Sequence, residues 1–454
     1  MEPEVHKSNE QIELRKQKLA KLQERGLNPY GERFDRTHRV GDITEGFAEL
    51  ENQTVTIAGR LIAKRDQGKA VFANIIDQTG NVQLYTKIDL LGEEHFQDFV
   101  DLDLGDIIGV TGKVFKTHRG QISVQVESFR LLSKALRPLP EKWHGLKDTD
   151  IRYRQRYLDL ISNPEVMDTF IKRTKTISAI RRIMDREGFI EVETPVLSVI
   201  AGGGHARPFQ THHNALDLDL TMRIALELYH KRLIVGGFDR VYEIGHCFRN
   251  EGISTNHNPE FTMMELYQSY ADYQVMMDLT EKIISEVAMA VCGATKIEYQ
   301  GTPIDLTPPW PRISIVEAVK QYTGIDWVKL ASDQEAVAAA QSLGLKIDPK
   351  ATKGMVWDEI CSEFVEPKLI QPTFLIDHPI EISPLAKKKS DAPEFTYRFE
   401  LFIYGREMAN AFSELNDPVD QRERFMEQAK EKAKGNDEAM VWDEDFLIAL
   451  EHGM

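Results

Sequence analysis

Residues 241–268 bring the ingredients of nucleotide and ammonium chemistry together in one stretch: V-Y-E-I-G-H-C-F-R-N-E-G-I-S-T-N-H-N-P-E-F-T-M-M-E-L-Y-Q. Alternation from Val241 to Asn250 predicts a strand. Gly252, Ser254, Asn256, Asn258 and Pro259 predict a polar loop, and a second strand is expected over Glu260 to Gln268. Period two puts Phe261, Glu265 and Tyr267 on one face, while Arg249 and Glu251 share parity on the first strand. One sheet surface then offers a guanidinium, several carboxylates, His257 and aromatic rings. That set suits a phosphate, a purine ring and an ammonium group held side by side.

Two other stretches add carboxylates. Glu227 lies inside the apolar run T-M-R-I-A-L-E-L-Y-H-K-R-L, where an unpaired charge is costly. Residues 396–416, T-Y-R-F-E-L-F-I-Y-G-R-E-M-A-N-A-F-S-E-L-N, predict a hairpin turning at Tyr404-Gly405. Asn410, Phe412 and Glu414 share one face of its second strand, but Glu407 has the other parity. If all four enter one site, a bulge must lie between Glu407 and Asn410. Glu400 and Glu407 sit among aromatic and aliphatic neighbours, and the triple glycine Gly202–Gly204 allows close approach of backbone to a ligand. Glu227, Glu265 and Glu414, with Tyr267, define a pocket that must balance positive charge, which points to a cationic amino acid beside a nucleotide.

These residues need a scaffold large enough to hold them, and the chain supplies one. It has 454 residues, 42% of them apolar and 28% charged, with a net charge of −16. Two or more domains are expected. The acidic balance disfavours wholesale coating of nucleic acid but allows local basic patches. The three cysteines, Cys247, Cys292 and Cys361, form no C-x-x-C pair, which disfavours a zinc site or a disulfide framework. No apolar run spans a membrane and the N-terminus is charged, so a cytoplasmic protein is expected.

Along the chain, residues 8–25 predict a charged helix with Ser8 or Asn9 as N-cap, ending at Gly26. Residues 54–132 read as five short strands with glycine-rich turns, most simply an OB-fold barrel. Phe72 and Gln83, on neighbouring strands, are candidates to stack on and read single-stranded bases. Lys64, Arg65, Lys113, Lys116, His118 and Arg119 are candidates for phosphates. Prolines mark a linker before Arg152–Tyr157. A helix is expected over 166–190, and another over 275–291 with Val275, Leu279, Ile283, Val287 and Val291 as its core stripe. Residues 325–370 look helical, and Lys387–Lys389 read as a solvated loop.

The order F-R-x-E, then H-N-P-E-F, then M-E-x-Y closely resembles motif 2 of the class II aminoacyl-tRNA synthetases, in the form found in lysyl-tRNA synthetases. Residues 166–195 resemble motif 1, and G-R-E-x-x-N-x-F-x-E-L from Gly405 resembles a further pattern of the same family. The resemblance runs from about Ser8 to Met454. It implies an α+β architecture: an N-terminal helical extension (1–50), an OB-fold anticodon-binding barrel (51–136), a linker (137–165) and a class II catalytic domain (166–454) built on an antiparallel sheet flanked by helices, with a helical insertion over 325–370. The function implied is ATP-dependent activation of L-lysine and its transfer to tRNA(Lys), by a homodimer. Residue by residue, the resemblance gives the substrate α-ammonium to Glu227 and Glu265, with Gly203 facing the pocket. It gives the ε-ammonium to Tyr267 and Glu414, and the carboxylate to Asn410 and Arg249. Arg249 also reaches the ATP α-phosphate. Phe261 stacks on adenine, Glu251 lies near its edge, and His257 and Asn258 lie near the phosphates. Glu400 and Glu407 bind Mg²⁺, and Phe72 and Gln83 meet the anticodon.

The sequence departs from the family in places. No glycine-rich run with an arginine, the family's motif 3, follows Glu414. His246 and Cys247 precede Arg249, and Asn256 stands where relatives often carry a basic residue. A truncated record is the expectation. A catalytically inactive paralogue that keeps the barrel and the lysine pocket is the alternative. An aspartyl- or asparaginyl-type ligase is disfavoured, because a substrate carboxylate needs a cationic pocket.

Overall fold

A computed structural model describes residues 2–140, 146–204, 206–254, 257–433 and 440–454. Part of the expected linker, 141–145, and Asn256 therefore lie outside the described residues. The chain folds as two compact units, Met1–Ile171 and Lys172–Met454.

The first unit holds the barrel. Strands β1 (Thr54–Asp66), β2 (Ala70–Asp77), β3 (Gly80–Lys87), β4 (Ile107–Lys116) and β5 (Ile122–Ser133) close in the order β1-β2-β3-β5-β4. Alternation selects the interior: Val55, Ile57 and Leu61 of β1 and Val71, Ala73 and Ile75 of β2 are among the buried residues. Each such aliphatic side chain contributes about 1.5–3 kcal/mol. Helix α2 (Glu93–Asp101), between β3 and β4, adds Phe96 and Phe99 to this core.

Helix α1 runs Glu2–Glu24, so it passes through Ser8 and Asn9 rather than starting there. The missed start signal is Pro3, which is tolerated in a first turn because its absent N–H has no helical partner there. The basic residues of α1 hold it on the barrel. Arg15 donates to the carbonyls of Ala135 (3.2 Å) and Arg137 (2.8 Å), and Lys18 donates to Asp103 (2.8 Å).

The second unit begins within helix α3 (Pro164–Arg186). The strand β6 (Ile190–Glu191) lies parallel to β7 (Arg240–Phe248), which pairs antiparallel with β8 (Glu260–Gln268) from Arg240↔Gln268 to Phe248↔Glu260. A second sheet runs β9 (Arg312–Ser314), β10 (Thr373–Ile376), β11 (Arg398–Ile403), β12 (Arg406–Phe412), with β9 parallel to β10 and the rest antiparallel. Helix α4 (Glu227–Val235) precedes β7. Helix α5 (Tyr273–Cys292), stopped by Gly293 at φ 77°, packs Met276 and Met277 with Phe374, Phe399 and Leu401. Its Leu279 and Ile283 pack beside Tyr242 and Met264 of the first sheet. The expected stripe on α5 is not the buried one: Val275 is 41% exposed, whereas Met276, Met277 and Ala288 are buried. Positions four apart drift by roughly 40° per step, so five of them sweep much of the circumference.

Helices over Ile315–Thr323, Asp333–Ser342 and Lys353–Ile360 surround an edge-on Trp327–Trp357 pair (4.8 Å) and pack on Leu375 and Phe402 of the second sheet. Helix α6 (Glu444–Glu451) adds Phe446, Leu447 and Leu450 to a core shared with Leu228 and Phe425. Lys387, Lys388 and Lys389 are not merely solvated: they reach Asn416 (2.9 Å), Asp420 (3.1 Å) and Asp377 (2.9 Å) respectively. All three cysteines are free. No helix of the described residues is long and apolar enough to cross a membrane.

Candidate active site

A cavity of about 1730 Å³ opens in the second unit between β8, α4 and β12. Gly203, Glu227, Arg249, Glu251, His257, Asn258, Phe261, Glu265, Tyr267, Glu407, Asn410 and Glu414 all line it. The hairpin explains half of this convergence. Phe261, Glu265 and Tyr267 project from one face of β8, and the loop returning from β7 brings Arg249 and Glu251 to the same rim. The Arg249 N–H donates to the Pro259 carbonyl (2.9 Å), and its guanidinium carbon lies 5.2 Å from the Phe261 centroid. Its Nε is buried without a hydrogen-bond partner, and Arg249 is in no ion pair among the described residues. His257 is oriented by Ser254, whose hydroxyl lies 2.8 Å from Nδ1. Glu251 accepts from the Arg207 N–H at 3.4 Å.

The bulge expected in the hairpin of β11 and β12 is there. Leu401 pairs with Ala409 and Phe402 with Glu407, so Met408 is the extra, unpaired residue. It reverses the parity of Glu407 and sets it on the face of Asn410 and Phe412. Asn410 Oδ1 accepts from Arg398 Nε (3.1 Å), which leaves its amide hydrogens for a ligand. Burial and the neighbouring Glu400 charge push Glu407 up to about 7. Glu400 itself is opposite Asn410 in register but does not line the cavity. It is held by Arg398 at 2.7 Å, a partner that the sequence reading did not include.

The floor is acidic. Glu265 is fixed at both oxygens: Oε1 accepts from the Leu226 N–H (2.9 Å) and Oε2 from the Tyr267 hydroxyl (2.8 Å). Burial, then the nearby Glu227, push it up to about 7. Glu414 is likewise pushed up to about 7, with burial outweighing the attraction of Lys231. Behind Tyr267 stands a buried network that the sequence reading missed. The His230 ring meets Tyr267 edge-on (5.3 Å) and its Nε2 lies 3.2 Å from Glu243, which also accepts from Arg223 (2.7 Å) and Thr194 (2.7 Å). Gly245 makes room for Arg223, since a Cβ there would lie 2.3 Å from Nη2. Glu243 faces Glu265 directly across the ladder, a cue that pairing β7 with β8 in register would have supplied.

Gly203 takes φ +87°, and a Cβ would meet Glu227 Cβ at 3.1 Å and Ala225 Cβ at 3.3 Å. Gly203→Ala is therefore expected to displace Glu227 and to weaken amino-acid binding about tenfold, from a strain of about 1–3 kcal/mol, as read by titration with lysine.

The barrel presents a separate surface. Phe72 is half-exposed and outside the core, with its ring 4.9 Å from Tyr85, which lies 5.8 Å from Phe115. Tyr85 and Phe115 extend the platform beyond the residue singled out from sequence. Gln83 is not a free edge: it is buried and donates to Ser123 Oγ (3.0 Å). Lys64 is not a free phosphate ligand either, since its ammonium donates to the carbonyls of Val100 and Leu102 at the end of α2.

The chain matches the family model described as tRNA synthetases class II (D, K and N) over residues 148–454, and that of the OB-fold nucleic acid binding domain over residues 55–132. It is 58% identical to the lysine–tRNA ligase of Pelotomaculum thermopropionicum over 448 residues, covering 98% of this chain and 88% of the relative. It is 59% identical to that of Moorella thermoacetica over 446 residues (98% and 91%), and 56% identical to one from Clostridium perfringens over 458 residues (99% and 91%). The chain belongs to the class II aminoacyl-tRNA synthetases and, among them, to the lysine–tRNA ligase family.

Proposed function

We propose that the cavity binds ATP and L-lysine side by side, forms lysyl-adenylate, and delivers the lysyl group to tRNA(Lys). The observation that carries this is the polarity of the cavity: Glu227, Glu265 and Glu414 at one end, and the unpaired Arg249 guanidinium stacked on Phe261 at the other. A doubly ammoniated amino acid fits the acidic end. Its α-ammonium goes to Glu227 and Glu265, its ε-ammonium to Tyr267 and Glu414, and its carboxylate to the Asn410 amide and Arg249. The carboxylate attacks the α-phosphorus in line. A carboxylate oxygen–phosphorus bond forms, the bond to the bridging oxygen breaks, and pyrophosphate leaves with the electron pair. A ribose hydroxyl of the tRNA then attacks the acyl carbon and AMP departs. The substrate supplies its own nucleophile, so the protein contributes positioning and charge.

Arg249 faces the phosphate where negative charge accumulates, Phe261 offers a stacking face for adenine beside Glu251, and His257 and Asn258 border the phosphates. A magnesium ion fits this donor set. Glu407 lines the cavity, its carboxyl is raised by the Glu400 charge, and Mg²⁺ needs only one or two protein carboxylates beside phosphate oxygens. Glu400 and Glu407 would hold it, and its chemistry is neutralisation of phosphate charge.

The aromatic platform of the barrel suits unpaired anticodon bases. Phe72→Ala is expected to weaken tRNA(Lys) binding about tenfold to hundredfold, from about 1–3 kcal/mol of stacking per base, and to leave lysine affinity unchanged in titrations of the same protein. A cytoplasmic homodimer completes the reading, and sedimentation at equilibrium checks its assembly. The test of the function is aminoacylation. Labelled lysine, ATP, Mg²⁺ and tRNA(Lys) are expected to yield acid-precipitable lysyl-tRNA. Charging of the tRNA with aspartate or asparagine instead would refute the assignment.

A further inference from the structure

Lys231 has a wholly buried side chain inside the acidic wall of the cavity. Its ammonium lies 2.5 Å from Glu227 Oε1, one turn earlier on α4, and 2.5 Å from Glu414 Oε2, in the chain after β12. The rings of Phe412 and Phe446 cover it, with centroids at 5.3 and 5.9 Å. Those two carboxylate oxygens are themselves buried, whereas the Glu414 side chain keeps 30% exposure. Lys231 thus lies beneath the carboxylates and not in the space that a ligand would fill. Three carboxylates, Glu227, Glu265 and Glu414, less one ammonium leave two negative charges for an incoming amino acid with two ammonium groups. Without Lys231, three carboxylates would face one another with little water, where like charges suppress each other's ionisation.

We propose that Lys231 is a positioning residue for amino-acid recognition, a tethered ammonium that holds Glu227 and Glu414 ionised and fixed before substrate arrives. The proposal rests on the lysine-pocket reading above. The groups facing it are Glu227 on its own helix, Glu414 after β12, and Glu265 with Tyr267 on β8. From α6 only the Phe446 ring does so, while Arg232 on α4 is engaged with Asp443 (3.0 Å) and Asp445 (2.9 Å). No bond is made or broken at Lys231.

The test is calorimetric titration of the full chain with free L-lysine from about pH 6 to about pH 9. Lys231→Met is expected to bind lysine about tenfold to hundredfold more weakly at neutral pH, equivalent to carboxyl values raised by about one to two units. The loss is expected to recover as pH rises, so the midpoint of the affinity profile moves upward. A purely structural role would give a loss that pH does not move. Lys231→Arg keeps the charge and is expected to keep the wild-type midpoint even where crowding lowers affinity. If Lys231→Met does not fold, the Lys231→Arg midpoint alone decides. Unchanged or tighter binding by Lys231→Met, a pH-independent loss, or an upward midpoint in Lys231→Arg would each overturn the proposal. Glu414→Gln separates the two readings. If it leaves lysine affinity intact, the pocket itself is misassigned. If it weakens binding while Lys231→Met does not, only the tethered ammonium fails.

Discussion

Arg249→Ala is expected to lower lysine-dependent ATP–pyrophosphate exchange about a hundredfold to a thousandfold in kcat, with a smaller change in the KM for lysine. The guanidinium is buried at Nε without a partner and joins no ion pair among the described residues, so the fold has no compensating carboxylate to occupy it. Phe261 on one side and the N–H bond of its own backbone to Pro259 on the other keep it aimed into the cavity. Such a charge stabilises the extra negative charge on the α-phosphate more than it stabilises bound ATP, which is why the effect falls on kcat. Arg249→Lys is expected to recover little, because an ammonium lacks the planar fork and the stacking face. Initial rates of exchange at saturating ATP and lysine measure both variants.

Glu414→Gln and Glu265→Gln are each expected to weaken lysine binding about a hundredfold to a thousandfold, the effect of about 3–5 kcal/mol for a buried charge that loses its partner. The wild-type affinity carries a matching pH dependence. Both carboxyls are pushed up to about 7 in the empty cavity by burial and by each other's charge. An ammonium ligand binds their ionised forms, so binding lowers these values and releases protons. Affinity is therefore low below about 7 and rises with pH through that value, by up to about tenfold per pH unit for each carboxyl, until the amines of lysine begin to lose their own protons. Stability follows the same sign. Between the unfolded value near 4.5 and about 7 the empty folded protein holds more protons than the unfolded chain, so it loses stability as pH rises, and lysine restores it. Thermal unfolding with and without lysine on either side of neutral pH reads this directly.

The parts of the site that lie on strands were legible because period two is strict. The parity of Glu407 against Asn410 was enough to require an irregularity, and Met408 provides it. The faces of Phe261, Glu265 and Tyr267 followed from the same rule. What sequence did not supply were partners brought from afar. Glu227 and Lys231 have the four-residue spacing of an ordinary surface ion pair; only the cover of Phe412 and Phe446 makes that pair a buried element of the cavity. Arg398 and Glu400, two apart on β11, read as surface charge until the packed helices over 315–369 enclose them. On α5 a period of four misidentified the buried face, since Val275 drifts to solvent while the two methionines turn inward. Gln83 was expected at an edge, yet the parallel pairing of β3 with β5 puts Ser123 beside it and buries both.

The charge pattern of the cavity is most directly tested by pyrophosphate exchange with three amino acids of different charge: lysine, its uncharged isostere norleucine, and aspartate. The account predicts exchange with lysine, at least about a thousandfold less with norleucine because Glu414 and Tyr267 would be left without an ammonium, and none with aspartate. Comparable exchange with norleucine, or any preference for aspartate, would contradict it.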